Sequence, residues 1–169
     1  MQVCSFPPIA RKDAKVLILG SMPGVASLAA NQYYAHPRNA FWGIMDALFE
    51  AGPDLAYTNR VARLMTQRIA VWDVLKTCVR GGSLDSSIVE ETIVPNDFAE
   101  FFAVHRKIEK VCFNGTKAEN AFRRYVLPGL TGIKARVEFV RLPSTSPAHA
   151  GQSFEKKLAA WRKGLNRQD

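Results

Sequence analysis

Four short stretches of this chain hold residues whose types and spacing could do chemistry together. Gly20-Ser21-Met22-Pro23-Gly24 sets a proline between glycines, so the backbone can turn sharply and bring bare N–H groups close to a ligand. It is neither a Walker loop, since no Gly-Lys-Ser/Thr follows, nor the G-x-G-x-x-G dinucleotide fingerprint, and a tight strand-to-helix turn explains it equally well. Tyr34-Ala35-His36-Pro37-Arg38-Asn39 then offers a flat ring, an imidazole and a carboxamide. A carboxamide accepts from water through its oxygen and donates through its nitrogen; it can orient a nucleophile but is a poor proton acceptor. His36 precedes a proline at a helix entry, where capping or packing accounts for it as readily as catalysis. Asn114-Gly115-Thr116 follows an apolar run and is either a reading position or a common turn pair. Pro143-Ser144-Thr145-Ser146-Pro147 holds three hydroxyls between two prolines: a stiff projection able to donate to phosphate oxygens, or an ordinary capped loop.

Alternating strands and helices must position these stretches. Residues 15–19 (KVLIL) are a short apolar run suited to a strand buried on both faces, and residues 69–75 (IAVWDVL), 110–113 (KVCF) and 137–142 (VEFVRL) are the further strands expected. Residues 39–50 place Phe41, Ile44, Met45, Leu48 and Phe49 at helical spacing, and Gly52-Pro53 stops them. A second helix is expected over residues 55–67, with Val61, Leu64 and Met65 inward. Ser86-Ser87 and Pro95-Asn96 offer further helix starts, with Phe98, Phe101 and Phe102 as a buried face. Asn114-Gly115-Thr116 leads into a helix carrying Ala118, Ala121, Phe122 and Tyr125. Residues 153–166 align Phe154, Leu158, Trp161 and Leu165 on one side and Lys156, Lys157, Arg162, Lys163 and Arg167 on the other. Parallel strands need crossovers, so four strands separated by helices predict a three-layer α/β/α fold around a central four-stranded parallel sheet. In such a sheet ligands bind beyond the carboxyl ends of the strands, which selects the loops at residues 20–39, 73–85, 114–117 and 143–151.

The 169 residues, 47% hydrophobic and without low-complexity tracts, are enough for one domain over 1–169 with a core that needs no metal or disulfide. The net charge of +8 is unevenly placed. Residues 1–100 carry 9 Lys+Arg against 10 Asp+Glu, whereas residues 101–169 carry 14 against 5. A one-sided positive field suits a polyanionic partner, although a merely solvated basic surface would look the same. Cys4, Cys78 and Cys112 form no C-x-x-C pair and read as reduced thiols of a cytoplasmic protein. No apolar run approaches the length of a membrane span, and no membrane partner is expected. No metal or cofactor is expected either, because the cysteines and the histidines His36, His105 and His149 make no ligand pair at short spacing.

Taken in order, Gly20-Ser21-Met22-Pro23-Gly24, Tyr34-Ala35-His36-Pro37-Arg38-Asn39-Ala40-Phe41-Trp42, Asn114-Gly115-Thr116-Lys117-Ala118 and Pro143-Ser144-Thr145-Ser146-Pro147 resemble the uracil-DNA glycosylase superfamily. Within it they are most similar to the hypoxanthine-DNA glycosylase branch, which removes the deaminated adenine base of deoxyinosine. The resemblance runs from the first strand to the last loop. The mismatch-specific uracil and thymine glycosylases read G-I-N-P-G in the first block; here Met22 replaces the catalytic Asn and cannot hold water by hydrogen bonding. Leu142 likewise replaces the His or Asn that many relatives place before Pro-Ser.

The resemblance implies a monofunctional enzyme, expected as a monomer, that flips a deaminated base out of DNA and hydrolyses its N-glycosidic bond. It implies Asn39 as the catalytic residue. Gly20, Ser21, Met22, Pro23, Tyr34 and Asn114 would form the base pocket, with Tyr34 stacking on the base and the N–H groups of Ser21 and Met22 facing its edge. Ser27, Lys117, Ser144 and Ser146 would hold phosphates, and Thr145 to His149 would fill the vacated space. Two other readings stand beside it: a uracil or mismatch glycosylase, and a non-catalytic DNA-binding module in which Asn39 only caps a helix.

Overall fold

The computed structural model describes residues 1–166; Arg167, expected on the charged side of the last helix, lies outside the described residues. The chain runs β1 (Gln2–Cys4), β2 (Val16–Gly20), α1 (Val25–Ala30), α2 (Phe41–Phe49), α3 (Tyr57–Thr66), β3 (Ile69–Asp73), β4 (Leu75–Arg80), β5 (Ile88–Pro95), α4 (Phe98–Val104), β6 (Lys110–Asn114), α5 (Thr116–Ala121), β7 (Glu138–Leu142) and α6 (Phe154–Gly164). The four expected apolar runs form a parallel sheet in the order β3-β2-β6-β7.

Both faces of this sheet are buried, as continuous apolar runs require. Leu17 and Leu19 of β2 join Val111 and Phe113 of β6 on one face, packed against Phe98, Phe101 and Phe102 of α4 and Ala118 and Ala121 of α5. Ile18 and Cys112 point the other way, onto Phe41, Ile44 and Met45 of α2 and Trp161 of α6. The helix ends follow from their flanks. Asp97 accepts from Glu100 N at 3.0 Å and Ser153 from Lys156 N at 3.3 Å, so each begins a helix. Past α2, Glu50 takes a left-handed φ of 55° just before Gly52-Pro53.

Four expectations are corrected. The chain beyond Asp73 is not a long loop, nor does a helix start at Ser86-Ser87. Instead β4 and β5 pair antiparallel, with β1 on the other side of β4, in a second sheet of three strands. Serine three residues before Glu90 imitates a helix start, but the β-branched Ile88, Val89, Thr92, Ile93 and Val94 suit a pleated strand, and β4 supplies the partner that decides between them. On α6, Lys157 is buried rather than solvated: its ammonium donates to His149 O at 2.7 Å. Phe154, expected inward, remains 42% exposed and its ring edge covers Gly43 of α2.

Candidate active site

β2 sits between β3 and β6, so the chain leaves it in opposite directions: first to β3 on one side and later to β6 on the other. That reversal opens a crevice at the carboxyl ends of the strands. A cleft of about 270 Å³ lies there, lined by Gly20, Ser21, Met22, Pro23, Ser27, Tyr34, His36, Asn39, Asn114, Ser144, Thr145 and Ser146. Residues distant in sequence are therefore brought together. Lys117 and His149, also expected at the site, lie outside this lining: the Lys117 ammonium pairs with Glu90, and the His149 carbonyl receives Lys157.

The first loop is fixed by the second sheet. Val74 and Leu75 N–H groups donate to the carbonyls of Gly20 and Ser21 at 2.9 and 3.1 Å. Ser21 Oγ donates to Asp85 at 2.6 Å, the Arg80 guanidinium donates to Pro23 O, and Val25 N donates to Ser83 Oγ at 2.8 Å. The Met22 side chain turns into the core, 7% exposed, among the apolar residues on the α4 side. A thioether placed there holds no water, in keeping with its chemistry. Ser27 Oγ accepts from Ala35 N at 3.1 Å and so ties the start of the next block rather than projecting from the surface.

Tyr34 takes a left-handed φ of 55°, which directs its ring over Phe41 with centroids 4.0 Å apart and planes 23° apart. One face of the ring is thus occupied, and only the other can receive a ligand. Asn39 accepts from Phe41 N at 2.9 Å through Oδ1, which caps α2 and fixes the carboxamide. An amide oxygen has two lone pairs, so this bond leaves one for the cleft. Capping and cleft-lining are therefore not alternatives for Asn39. His36 Nδ1 accepts from Arg38 N at 3.1 Å, which leaves Nε2 as the nitrogen that carries the proton in the neutral ring.

The last loop is clamped from three sides. Asn114 Oδ1 accepts from Thr145 N and Asn114 Nδ2 donates to Thr145 Oγ1, both at 2.9 Å. Thr145 O accepts from Ala40 N at 3.0 Å, and Pro143 O accepts from Trp161 Nε1 at 2.9 Å. Thr145 is only 1% exposed, whereas Ala148 and His149 further along the same loop are exposed. Leu142 is core and packs against Gly164, away from the chemistry. Asn114 acts here as the loop's anchor. Asn114→Ala leaves buried donors and acceptors of Thr145 unpaired, and we expect it to cost about 1–3 kcal/mol in urea unfolding together with a tenfold or larger loss of any activity of the cleft.

A family model, the Uracil DNA glycosylase superfamily, matches residues 7–168. The chain belongs to that superfamily. It is 36% identical over 140 residues to a protein of Methanosarcina acetivorans named hypoxanthine DNA glycosylase, covering 78% of this chain and 87% of that one. A protein of the same name from Methanosarcina barkeri is 37% identical over 121 residues, covering 70% and 74%. The solution NMR structure of a Methanosarcina acetivorans protein, described as a candidate uracil DNA glycosylase, superposes with a TM-score of 0.76 at 34% identity over 98% of this chain and 99% of that one.

Against this superfamily background the cleft carries one group that the motifs did not mark as chemical. Asp73, the last residue of β3, lines the cleft at 3% exposure. Its Oδ2 is buried without a hydrogen-bond partner, as is Arg80 Nη1. Burial, and then the neighbouring Asp85 carboxylate, push the Asp73 carboxyl up to about 7 against the opposing pull of Arg80. In sequence Asp73 sits within an apolar strand and belongs to no motif, and only the second sheet shows that Asp85 and Arg80 lie close to it.

Proposed function

We propose that the chain is a monofunctional DNA glycosylase that extrudes deoxyinosine and hydrolyses its N-glycosidic bond, releasing hypoxanthine and leaving an abasic site. The observation that carries the reading is the Asn39 carboxamide, pinned by Phe41 N and lining the same cleft as the half-covered Tyr34 ring. The two homologues named for this activity support the choice of base.

Each group has a task that its chemistry permits. Extruding a nucleotide costs roughly a few kcal/mol, least for a mispaired base such as inosine opposite thymine. The open face of Tyr34 receives the extruded ring, and Phe41 behind it keeps the platform from swinging. As the C1′–N9 bond breaks, the sugar gains oxocarbenium character and the base gains negative charge. Asn39 Oδ1 orients a water beneath C1′ through its remaining lone pair; the water oxygen bonds to C1′ and its proton passes to solvent. The hydroxyls of Ser144 and Ser146, with the positive charge of residues 101–169, hold the DNA backbone around the mouth. The enzyme acts as a monomer in the cytoplasm.

The test is a set of labelled duplexes carrying one deoxyinosine, uracil or xanthine, treated with alkali after incubation. Strand breaks are expected at inosine, and breaks at uracil without breaks at inosine would overturn the choice of base. Binding without abasic product would favour a DNA-binding module in which Asn39 is only a cap. Raising salt from 50 to 200 mM is expected to weaken binding by roughly tenfold or more, because phosphate contacts release counterions.

A further inference from the structure

The cleft holds a buried carboxyl oxygen without a hydrogen-bond partner, Asp73 Oδ2, and beside that carboxyl the buried Tyr34 Oη. Unpartnered buried polar atoms cost roughly 1–3 kcal/mol each, so a carboxyl held this way in a ligand cleft calls for a role. Both groups reach the space over Gly20: a Cβ there would stand 2.5 Å from Asp73 Oδ1 and 3.0 Å from Tyr34 Oη. Glycine at the end of β2 therefore keeps open the room that the two side chains share.

We propose that Asp73 is a catalytic residue of this glycosylase, holding its carboxyl neutral and donating its O–H to the 6-carbonyl oxygen of the departing hypoxanthine. The proposal rests on the glycosylase reading and extends it from the sugar to the base. Asp73 ends β3 and lines the cleft at 3% exposure, and the proposal sets it against the edge of the purine remote from C1′. That edge carries the carbonyl onto which charge moves as the C1′–N9 bond breaks. A fixed donor aimed at developing charge in a water-poor site lowers the barrier, and a carboxyl kept neutral by its surroundings is one way to supply it. An ionised Asp73 would repel the same charge. No proton need leave the carboxyl: the electron pair of the broken bond goes to the base, which takes its proton from solvent.

The surroundings favour the neutral form. Asp85, on the turn before β5, repels a second negative charge, and Ser21 Oγ already serves the Asp85 carboxylate at 2.6 Å. Tyr33 and Tyr34 add neutral rings whose hydroxyls burial keeps protonated. Arg80 of β4 opposes ionic repulsion, but two of its nitrogens are committed to Gly82 O and Pro23 O. Together these groups set the carboxyl at about 7, where it is protonated below neutrality and lost above it.

Single-turnover release of hypoxanthine at saturating enzyme, followed from pH 6 to pH 9, tests this. The wild-type rate should fall by tenfold or more across that range as the proton is lost. Asp73→Asn keeps the size of the side chain and does not titrate; it should release base more slowly than wild type at pH 6 and show a flat profile. A wild-type rate that is level or rises toward pH 9 overturns the proposal, as does an Asp73→Asn profile with the same alkaline fall. The wild-type profile decides the matter even if the variant fails to fold. Release at every pH without the fall removes only the role of Asp73, whereas no release at pH 6 removes the glycosylase reading with it.

Discussion

Asn39→Ala is expected to slow hypoxanthine release by at least about a hundredfold, the scale on which positioned groups in a reacting site act. The effect must be separated from folding, because the same oxygen caps α2 through Phe41 N. Losing that cap costs about 1 kcal/mol, which leaves a stable domain almost wholly folded. Asn39→Asp provides the control: it retains an acceptor for Phe41 N, so its melting temperature should match wild type more closely than that of Asn39→Ala. A hundredfold loss in Asn39→Ala with an intact folded fraction assigns the effect to chemistry. If Asn39→Ala cleaves within a few-fold of wild type, water positioning by this residue is wrong.

Trp161→Ala is expected to cost about 3–5 kcal/mol of stability. Trp161 is fully buried, sits edge-on to Phe41 with centroids 6.1 Å apart, and donates to Pro143 O at 2.9 Å. Truncation leaves a cavity between α6 and α2 and strips the last loop of one of its three anchors. At roughly 2–4 °C per kcal/mol for a domain of this size, thermal unfolding should move down by on the order of 10 °C. Trp161→Phe fills most of the volume but leaves Pro143 O without its donor, so its cost should be smaller, about 1–2 kcal/mol. Equal losses in the two variants would show that packing around the indole carries less than its burial indicates.

The central sheet was legible because β2, β3 and β6 are buried on both faces and so read as apolar runs, with β7 a half-exposed edge strand, and α2 because Phe41, Ile44, Met45 and Phe49 repeat at helical spacing. The second sheet was not. β5 is half-exposed, its alternation is broken by paired glutamates, and β1 has three residues; pairing with β4, which is remote in sequence from β1, is what makes them strands. The same blindness hid Asp73. Its chemistry depends on Asp85 and Arg80, which reach it only because β4 folds back alongside the first loop. The cleft's other residues were visible because they fall in loops after apolar strands. Their bonds were not: Asn114 and Thr145 look like a reader and a wedge, yet they bind each other. Lys117 and Lys157 look like free cations, yet each is engaged within the fold.

The most direct test is a crystal structure with a duplex carrying a non-hydrolysable deoxyinosine analogue. The account predicts the nucleotide outside the helix, its base on the open face of Tyr34, and a water within hydrogen-bond distance of both Asn39 Oδ1 and the underside of C1′. A base left stacked in the duplex, or a water beneath C1′ held by some other side chain with Asn39 serving α2 alone, would contradict it.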